Sequence, residues 1–254
     1  MHFTFSKISK VSVVLTLGIL LLPWLARPVA AQSATRDNKK PTATKRPAPP
    51  RRIPPNKVKP GGGLDFSYRA CEDRESSLTA LVPIDNPVLT TQPYPSFLFY
   101  VPDRGEAIEY GEFSLFVASE KTRVYSTKIA IENTPGIIKI DLPHVPQHAL
   151  EPEQPYHWYF KVYCQTQADA PIFLDVDGWV ERVAITATTE AQIDSATPDI
   201  WYDAIAKTAQ GLLVNPQDPN LKARWLRLLQ FIEQEYLVDT SIKSVSVEDN
   251  YRQQ

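Results

Sequence analysis

From Leu78 onward short apolar runs alternate with turn residues: Leu78 to Val82, Val88 to Thr91, Phe97 to Val101, Glu112 to Val117, Val124 to Ile131, Ile137 to Leu142, Tyr156 to Cys164 and Val176 to Ile185. Eight strand-length runs spaced in this way predict an antiparallel β-sandwich. Side chains alternate across a strand, so the pattern also sorts them by face. Phe97, Phe99 and Val101 share a face, as do Phe113, Leu115 and Val117, and Tyr125, Thr127, Ile129 and Ile131. Ile138, Ile140 and Leu142, and Tyr156, Trp158, Phe160 and Val162, complete the expected core. The same parity turns Leu98, Tyr100, Lys139, Asp141, His157, Tyr159, Lys161 and Tyr163 outward. Tyrosines beside polar groups make a docking surface for a partner or a glycan, because tyrosine offers apolar area and a hydroxyl at low entropic cost. The competing expectation, which we favour on the sequence, is that helices of the same chain cover this face.

Those helices follow in residues 193–233. Thr197-Pro198-Asp199 reads as an N-cap, a first-turn proline and an acid, followed by Trp201, Ile205, Thr208 and Leu212 at helical spacing. After the break at Asn215-Pro216-Gln217, Asp218-Pro219-Asn220 repeats the device, with Leu221, Trp225, Leu228 and Ile232 as the apolar stripe. The prediction is a C-terminal α-helical hairpin packed on the sandwich, with Trp201 and Trp225 as its structural anchors. Residues 234–254 read as a tail, with Val238 to Val247 able to add a loose strand.

Within the expected sandwich domain, residues 64–192, the stretch from Leu150 through Pro152, Pro155 and Tyr156 to Cys164 resembles the end-turn and sixth strand of an immunoglobulin or fibronectin type III sandwich. In such domains a tyrosine at this corner packs its ring inward and hydrogen-bonds its hydroxyl to the preceding loop. Tyr156 takes that role and Trp158 the centre of the core.

The N-terminal quarter belongs to another class of sequence. Lys7 and Lys10 precede an apolar run from Val11 to Leu22, and Val29-Ala30-Ala31 precedes Gln32. This is the layout of a secretory signal peptide, residues 1–31, cut after Ala31. A run of that length rises about 18 Å as a helix, short of the ~30 Å hydrocarbon core, so no transmembrane anchor is expected after cleavage. Residues 32–63 hold seven prolines, nine Lys or Arg and one acid, a composition that predicts a disordered linker. Its net charge is +8, against −13 for residues 64–254. The linker therefore suits contact with an anionic envelope surface, or serves as a solubilising spacer. Nucleic acid is excluded as a partner for an exported chain whose folded part is acidic. The two cysteines, Cys71 and Cys164, both fall in the exported part, where thiols are oxidised, and a Cys71–Cys164 disulfide is expected.

No motif for catalysis or cofactor binding is present: the chain lacks G-x-S-x-G, a phosphate-binding glycine loop, H-E-x-x-H and C-x-x-C. His144 and His148 have zinc-ligand spacing, but Pro143 and Pro146 forbid the helix that spacing needs. Asp175-Val-Asp177-Gly178 resembles the start of a calcium loop, yet the later ligand positions are missing, and a turn before the last strand is the expected use. The carboxylate pairs Glu151 with Glu153 and Asp175 with Glu181 are candidates for glycosidase chemistry only if a cleft separates their proton affinities.

Several stretches taken in order resemble one known family: Gly61 to Gly63 before Cys71, Leu78-Thr-Ala-Leu-Val-Pro83, Tyr100-Val-Pro102, Thr134-Pro-Gly136, Tyr156-His-Trp-Tyr159, Gly178-Trp-Val-Glu-Arg182 and Ile200-Trp-Tyr-Asp203. The chain is similar to the cyanobacterial envelope family termed domain of unknown function 928. The resemblance implies secretion and a shared fold, and it brings no activity. Asp199 departs from the glycine expected there. The resulting expectation is a periplasmic or secreted, non-catalytic module that binds an envelope protein or polysaccharide. The alternatives are a carbohydrate-binding module using exposed Tyr100, Tyr159 or Tyr163, and a hydrolase with an unrecognised carboxylate site.

Overall fold

A computed structural model describes residues 53–61, 77–85, 88–102, 108–120, 122–132, 134–165, 172–195 and 198–245. The expected signal peptide, most of the linker and Cys71 lie outside the described residues. The strands are β1 (Thr79–Ala80), β2 (Leu89–Thr90), β3 (Ser96–Val101), β4 (Ile108–Val117), β5 (Arg123–Ile129), β6 (Gly136–Asp141), β7 (Pro155–Cys164), β8 (Ile172–Arg182) and β9 (Ile242–Val245). The helices are α1 (Ala187–Ile193), α2 (Trp201–Val214) and α3 (Pro219–Phe231). The fold is mainly β, with a four-stranded sheet in the order β1-β3-β6-β9 and a five-stranded sheet in the order β2-β8-β7-β4-β5.

Aromatic rings from the two sheets meet between them. Phe99 of β3 stacks on Phe160 of β7 with centroids 4.3 Å apart, and Phe97 lies 4.8 Å from Phe113 of β4. Trp158 is 1% exposed and contacts both Phe97 and Phe99. Burying each such ring contributes about 1.5–3 kcal/mol, so this cluster dominates the packing. The hydroxyl of Tyr156 accepts a hydrogen bond from Glu151 N at 2.8 Å, which ties the end of the preceding loop to β7.

Both sheets are mixed, not antiparallel as expected. β2 pairs parallel with β8, and β9 pairs parallel with β6. The parallel pairs join strands far apart in sequence, so no hairpin turn sets their direction. β9 lies inside Val238 to Val247, the part of the tail expected to be able to add a loose strand, and only its parallel pairing with β6 was not expected. It reaches the sheet edge only after α3 has carried the chain back, and a short run of half-buried residues carries little signal of its own.

Three further differences have physical causes. β8 begins at Ile172 instead of Val176, so Asp175, Asp177 and Gly178 sit in the strand and not in a turn. Gly178 belongs there because a Cβ would stand 2.4 Å from Cζ2 of Trp158. α1 was not anticipated. It is nucleated by Thr186, whose side chain accepts from Thr189 N while the Thr189 hydroxyl accepts from Thr186 N. α2 starts at Trp201 with Ile200 at its N-cap and no side-chain cap, so Thr197-Pro198-Asp199 does not open it, and Thr197 is outside the described residues. By contrast Asp218 caps α3, accepting from Asn220 N and Leu221 N with Pro219 in the first turn.

The helices are fastened by their aromatic residues. Trp201 is 1% exposed and its indole donates to Leu81 O at 2.9 Å. The indole N–H of Trp158 donates to the Tyr202 hydroxyl at 2.7 Å, and that hydroxyl donates to Trp179 O at 2.9 Å. Trp225 is also buried, and Arg224 beside it donates to Thr208 Oγ1 at 2.9 Å, joining α3 to α2. Asp203 binds Thr90 and Thr91 instead of its own helix end, so α2 is pinned to β2.

The folded region also begins earlier than expected, because residues 53–61 at the end of the supposed linker are built into it. Asn56 is 5% exposed: its Nδ2 donates to Pro83 O at 2.7 Å, and its Oδ1 accepts from Trp179 N at 2.8 Å. Lys57 and Asp177 exchange backbone hydrogen bonds beyond the edge of β8. Replacement Asn56→Ala leaves the buried N–H of Trp179 and the half-buried carbonyl of Pro83 without these partners, and we expect a loss of about 2 kcal/mol in chemical denaturation, whereas removing residues 32–52 leaves the midpoint unchanged. An Asn56→Ala midpoint equal to the parent's would show that these bonds carry no net stability.

Candidate functional site

The described helices pack chiefly on β2, β3 and β9, so the outer face of the five-stranded sheet is built from its own strands. Register places its side chains in rows. Tyr163 of β7 lies between Tyr110 of β4 and Phe173 of β8, Lys161 between Glu112 and Asp175, Tyr159 between Ser114 and Asp177, and His157 between Phe116 and Trp179. Two aromatic rows therefore flank a charged middle. Cα positions four residues apart along β7, such as Tyr159 and Tyr163, are separated by about 14 Å.

In the first row Tyr110 and Tyr163 stack with centroids 4.5 Å apart, and Phe173 lies 5.3 Å from Tyr163. Lys128 places its ammonium 4.3 Å from the Tyr110 ring centre, and Lys161 is 4.7 Å from that of Phe173. Stacked in this way, Tyr110 and Tyr163 cover each other's faces, and the two lysines sit over the rings at the row's ends. In the second row Phe116 meets Tyr159 edge to face at 84°, and His157 stacks on Trp179 at 4.1 Å.

His157 is the most connected polar group on the face. Its Nδ1 lies 2.7 Å from Glu120 Oε1 and its Nε2 lies 2.7 Å from Asp177 Oδ2. Tyr159 donates its hydroxyl to the same Glu120 oxygen at 2.9 Å. Hydrogen bonds from His157 and then Tyr159 hold the Glu120 carboxyl below its ordinary value, against the smaller opposing effect of desolvation. Burial first, and then the bond to Glu120, push the Tyr159 phenol well up. With both ring nitrogens facing carboxylates, neither is left for proton transfer to a bound molecule. The cluster orders this part of the face.

Of the tyrosines singled out in the sequence, Tyr159 and Tyr163 lie on this face and are half-buried, while Tyr100 does not belong to it. Tyr100 is on the four-stranded sheet, 7% exposed, with the ring of Tyr236 packed edge-on at 6.4 Å. Covering by the C-terminal part is thus the answer for Tyr100 only. His144 stacks on Tyr94, whereas His148 is buried against Tyr125, so the two point to different neighbours. Asp175 is paired with Lys57 at 2.7 Å and Asp177 with His157, so neither is free to ligate calcium. Among the described residues no cluster of three His, Cys, Asp or Glu has metal-holding geometry. Trp158, Trp201 and Trp225 are core residues, and Cys164 is buried at the end of β7. Sequence reading missed Glu120, Tyr110, Phe173 and Trp179. The alternation of Phe173, Asp175, Asp177 and Trp179 with Leu174, Val176, Gly178 and Val180 was there to be read, but the calcium-like motif drew it into a turn.

Clefts lie elsewhere, two of which bear on the argument. One, of about 600 Å³, contains the buried Lys139, which is paired with Asp141, together with Asp203 and Lys207. The other, of about 560 Å³, lies between Ile84, Trp201 and Phe231.

The described residues thus form a mainly β fold of two mixed sheets with three helices. The chain belongs to the family described as Domain of Unknown Function (DUF928), whose family model matches residues 61–242. No curated protein and no solved structure matches it.

Because the folded state lowers the Glu120 carboxyl, its contribution to stability is present above the unfolded-state value and is lost as pH falls through the folded one. Asp177 and Tyr159 face the same imidazole, so the comparison must isolate one carboxylate. We expect Glu120→Gln to be less stable than the parent at pH 7, with the gap closing in acid below the ordinary carboxylate range. A gap independent of pH, measured by urea denaturation, would remove the electrostatic account.

Proposed function

We propose that the chain is a non-catalytic, exported module of the immunoglobulin-like sandwich type, carrying a C-terminal helical hairpin, that binds an envelope protein through the outer face of its five-stranded sheet. The observation that carries this reading is the pair of aromatic rows on that face, with lysines and carboxylates interleaved and no helix among their main contacts. Interfaces favour half-buried aromatic anchors within a polar surround, because their rings lose little conformational entropy on binding.

A glycan is the weaker occupant. Sugar rings stack on flat, open aromatic faces, and here Tyr110 and Tyr163 cover each other while Lys128 and Lys161 sit over the ends of the row. The hydrolase reading finds no support in His157, both of whose nitrogens are engaged. The basic segment of residues 32–52 supplies a second, salt-sensitive contact with anionic envelope material. The test is co-sedimentation with isolated envelope. Tyr110→Ser combined with Tyr163→Ser, at unchanged thermal midpoint, should weaken retention about tenfold. Removal of residues 32–52 should weaken it at low salt only. Protease treatment of the envelope should abolish retention, whereas retention on protease-stripped polysaccharide would establish the glycan reading. Undiminished retention of the double variant would refute the proposed face.

Cys164 contributes to the same picture: it is 4% exposed where β7 ends, beside Val101, Pro102 and Leu174. A bond to Cys71 encloses a long loop, for which chain entropy gives roughly 4–5 kcal/mol as an upper figure. Non-reducing peptide mapping of the exported protein should yield the Cys71–Cys164 cross-linked peptide, and recovery of both thiols free would exclude it.

A further inference from the structure

We infer that the cleft between β1, the start of α2 and the end of α3 is a second docking site, one that receives an extended cationic segment of a partner protein. This does not rest on the face described above: the two sites share no residue, and each has its own test.

The floor of this cleft is apolar and its rim is acidic. Trp201 and Phe231 lie with ring centroids 5.6 Å apart and both line it. Phe231 is 45% exposed and Ile84, also at the cleft, is 58% exposed, although both are large apolar side chains. Val214, Ile185 and Tyr236 are the other large hydrophobic side chains exposed among the described residues, and none of them lines this cleft. Asp85, Asp199 and Glu233 stand around it, against a single cation, Lys59. An apolar trough bordered by three carboxylates complements an apolar or proline side chain flanked by Arg or Lys.

Two polar features favour a polypeptide as the source of that chemistry. Gln234 lines the cleft, is 7% exposed, and its Oε1 has no hydrogen-bond partner. That oxygen is shut off from solvent, so a bound N–H donor reaches it only once the Gln234 side chain turns toward the cleft, where it gains the partner it lacks. α2 starts in the same wall without a side-chain cap, leaving its first N–H groups in need of acceptors. A peptide backbone offers donor and acceptor together. An acyl chain offers neither.

Glu233 has a property that serves the test. It follows α3 with φ of 58°, and the next residue closes the helix end, Gln234 N donating to Leu229 O at 2.8 Å. Glycine is the residue this left-handed position favours, so Glu233→Gly removes a rim carboxylate while relieving backbone strain. The variant should fold at least as well as the parent.

The experiment is fluorescence anisotropy with the full chain and a labelled peptide of sequence Arg-Arg-Pro-Leu-Pro-Pro-Arg, run beside the same peptide with glutamate in place of every arginine. Saturable binding of the cationic peptide is expected, weakening as salt is raised, with the acidic peptide at least about tenfold weaker. Phe231→Ala should weaken binding about tenfold, and Glu233→Gly about threefold with a shallower salt dependence. Tyr163→Ser, on the other sheet, should leave it unchanged. Equal affinity for both peptides, indifference to Glu233→Gly and Phe231→Ala together, or loss of binding with Tyr163→Ser would overturn the proposal. So would two other results: a dimer in sedimentation that excludes the peptide, meaning that a second copy fills the cleft, or a fatty-acid probe that displaces the peptide and ignores the charge of the rim.

Discussion

Two hydrogen bonds in series hold the architecture together: Trp158 Nε1–H to the Tyr202 hydroxyl, and that hydroxyl to Trp179 O. They join the centre of the core, the first turn of α2 and strand β8 through groups that are all nearly excluded from water. Leaving any of them unpaired costs more than a surface bond ever contributes. Burial also pushes the Tyr202 phenol far up, so the relay keeps its proton at any physiological pH. The neighbourhood follows from the size of the indole. Trp158 fills the space a side chain at residue 178 would need, so Gly178 stands in the middle of β8. The gap at that strand edge is closed by Asn56, whose side chain bonds both Trp179 N and Pro83 O.

Anchoring the helices in this way makes the two sheets unequal. The four-stranded sheet carries buried residues on both sides, including Leu98, Tyr100, Ile137 and even Lys139, whose charge is compensated by Asp141. The five-stranded sheet keeps an outer face of aromatic and charged side chains. That face is rigid for a local reason: its rings stack on one another, and its histidine is fixed between two carboxylates. Pre-ordered side chains lose little entropy when a partner arrives, which supports the binding role proposed for this face. The acidic-rimmed cleft lies away from it, where β1, α2 and α3 converge, so the two proposed contacts do not compete for the same residues.

Much of this was legible in the sequence, and the misses have definite causes. The eight apolar runs became strands β1 to β8 in order, and the residues expected to face inward are buried apart from Val117 and Ile131, which lie half-buried towards the ends of their runs. Asp218-Pro219 opened α3 because a carboxylate cap and a proline act locally. Thr197-Pro198-Asp199 looked equally good and failed, since α2 starts where Trp201, Tyr202 and Asp203 find partners just after β1, on β7 and on β2. The linker composition misassigned residues 53–61 because proline and lysine there hide a single buried asparagine. On the candidate face Tyr159 and Tyr163 could be named from parity alone. Glu120 could not, because it reaches His157 from the turn after β4, across a separation of 37 residues.

What the sequence determined by itself was therefore everything set by near neighbours, namely strand periodicity, the inward face of each strand and the cap of α3, together with the basic composition of residues 32–52 and the family. Tertiary structure decided which sheet the helices cover, the parallel pairings of β2 and β9, the burial of Asn56 and Lys139, and the joining of His157 to Glu120 and Asp177. The physical reason is that alternation and capping are enforced within a few residues, whereas those pairings exist only after distant segments have been brought together around one indole, and no local preference encodes them.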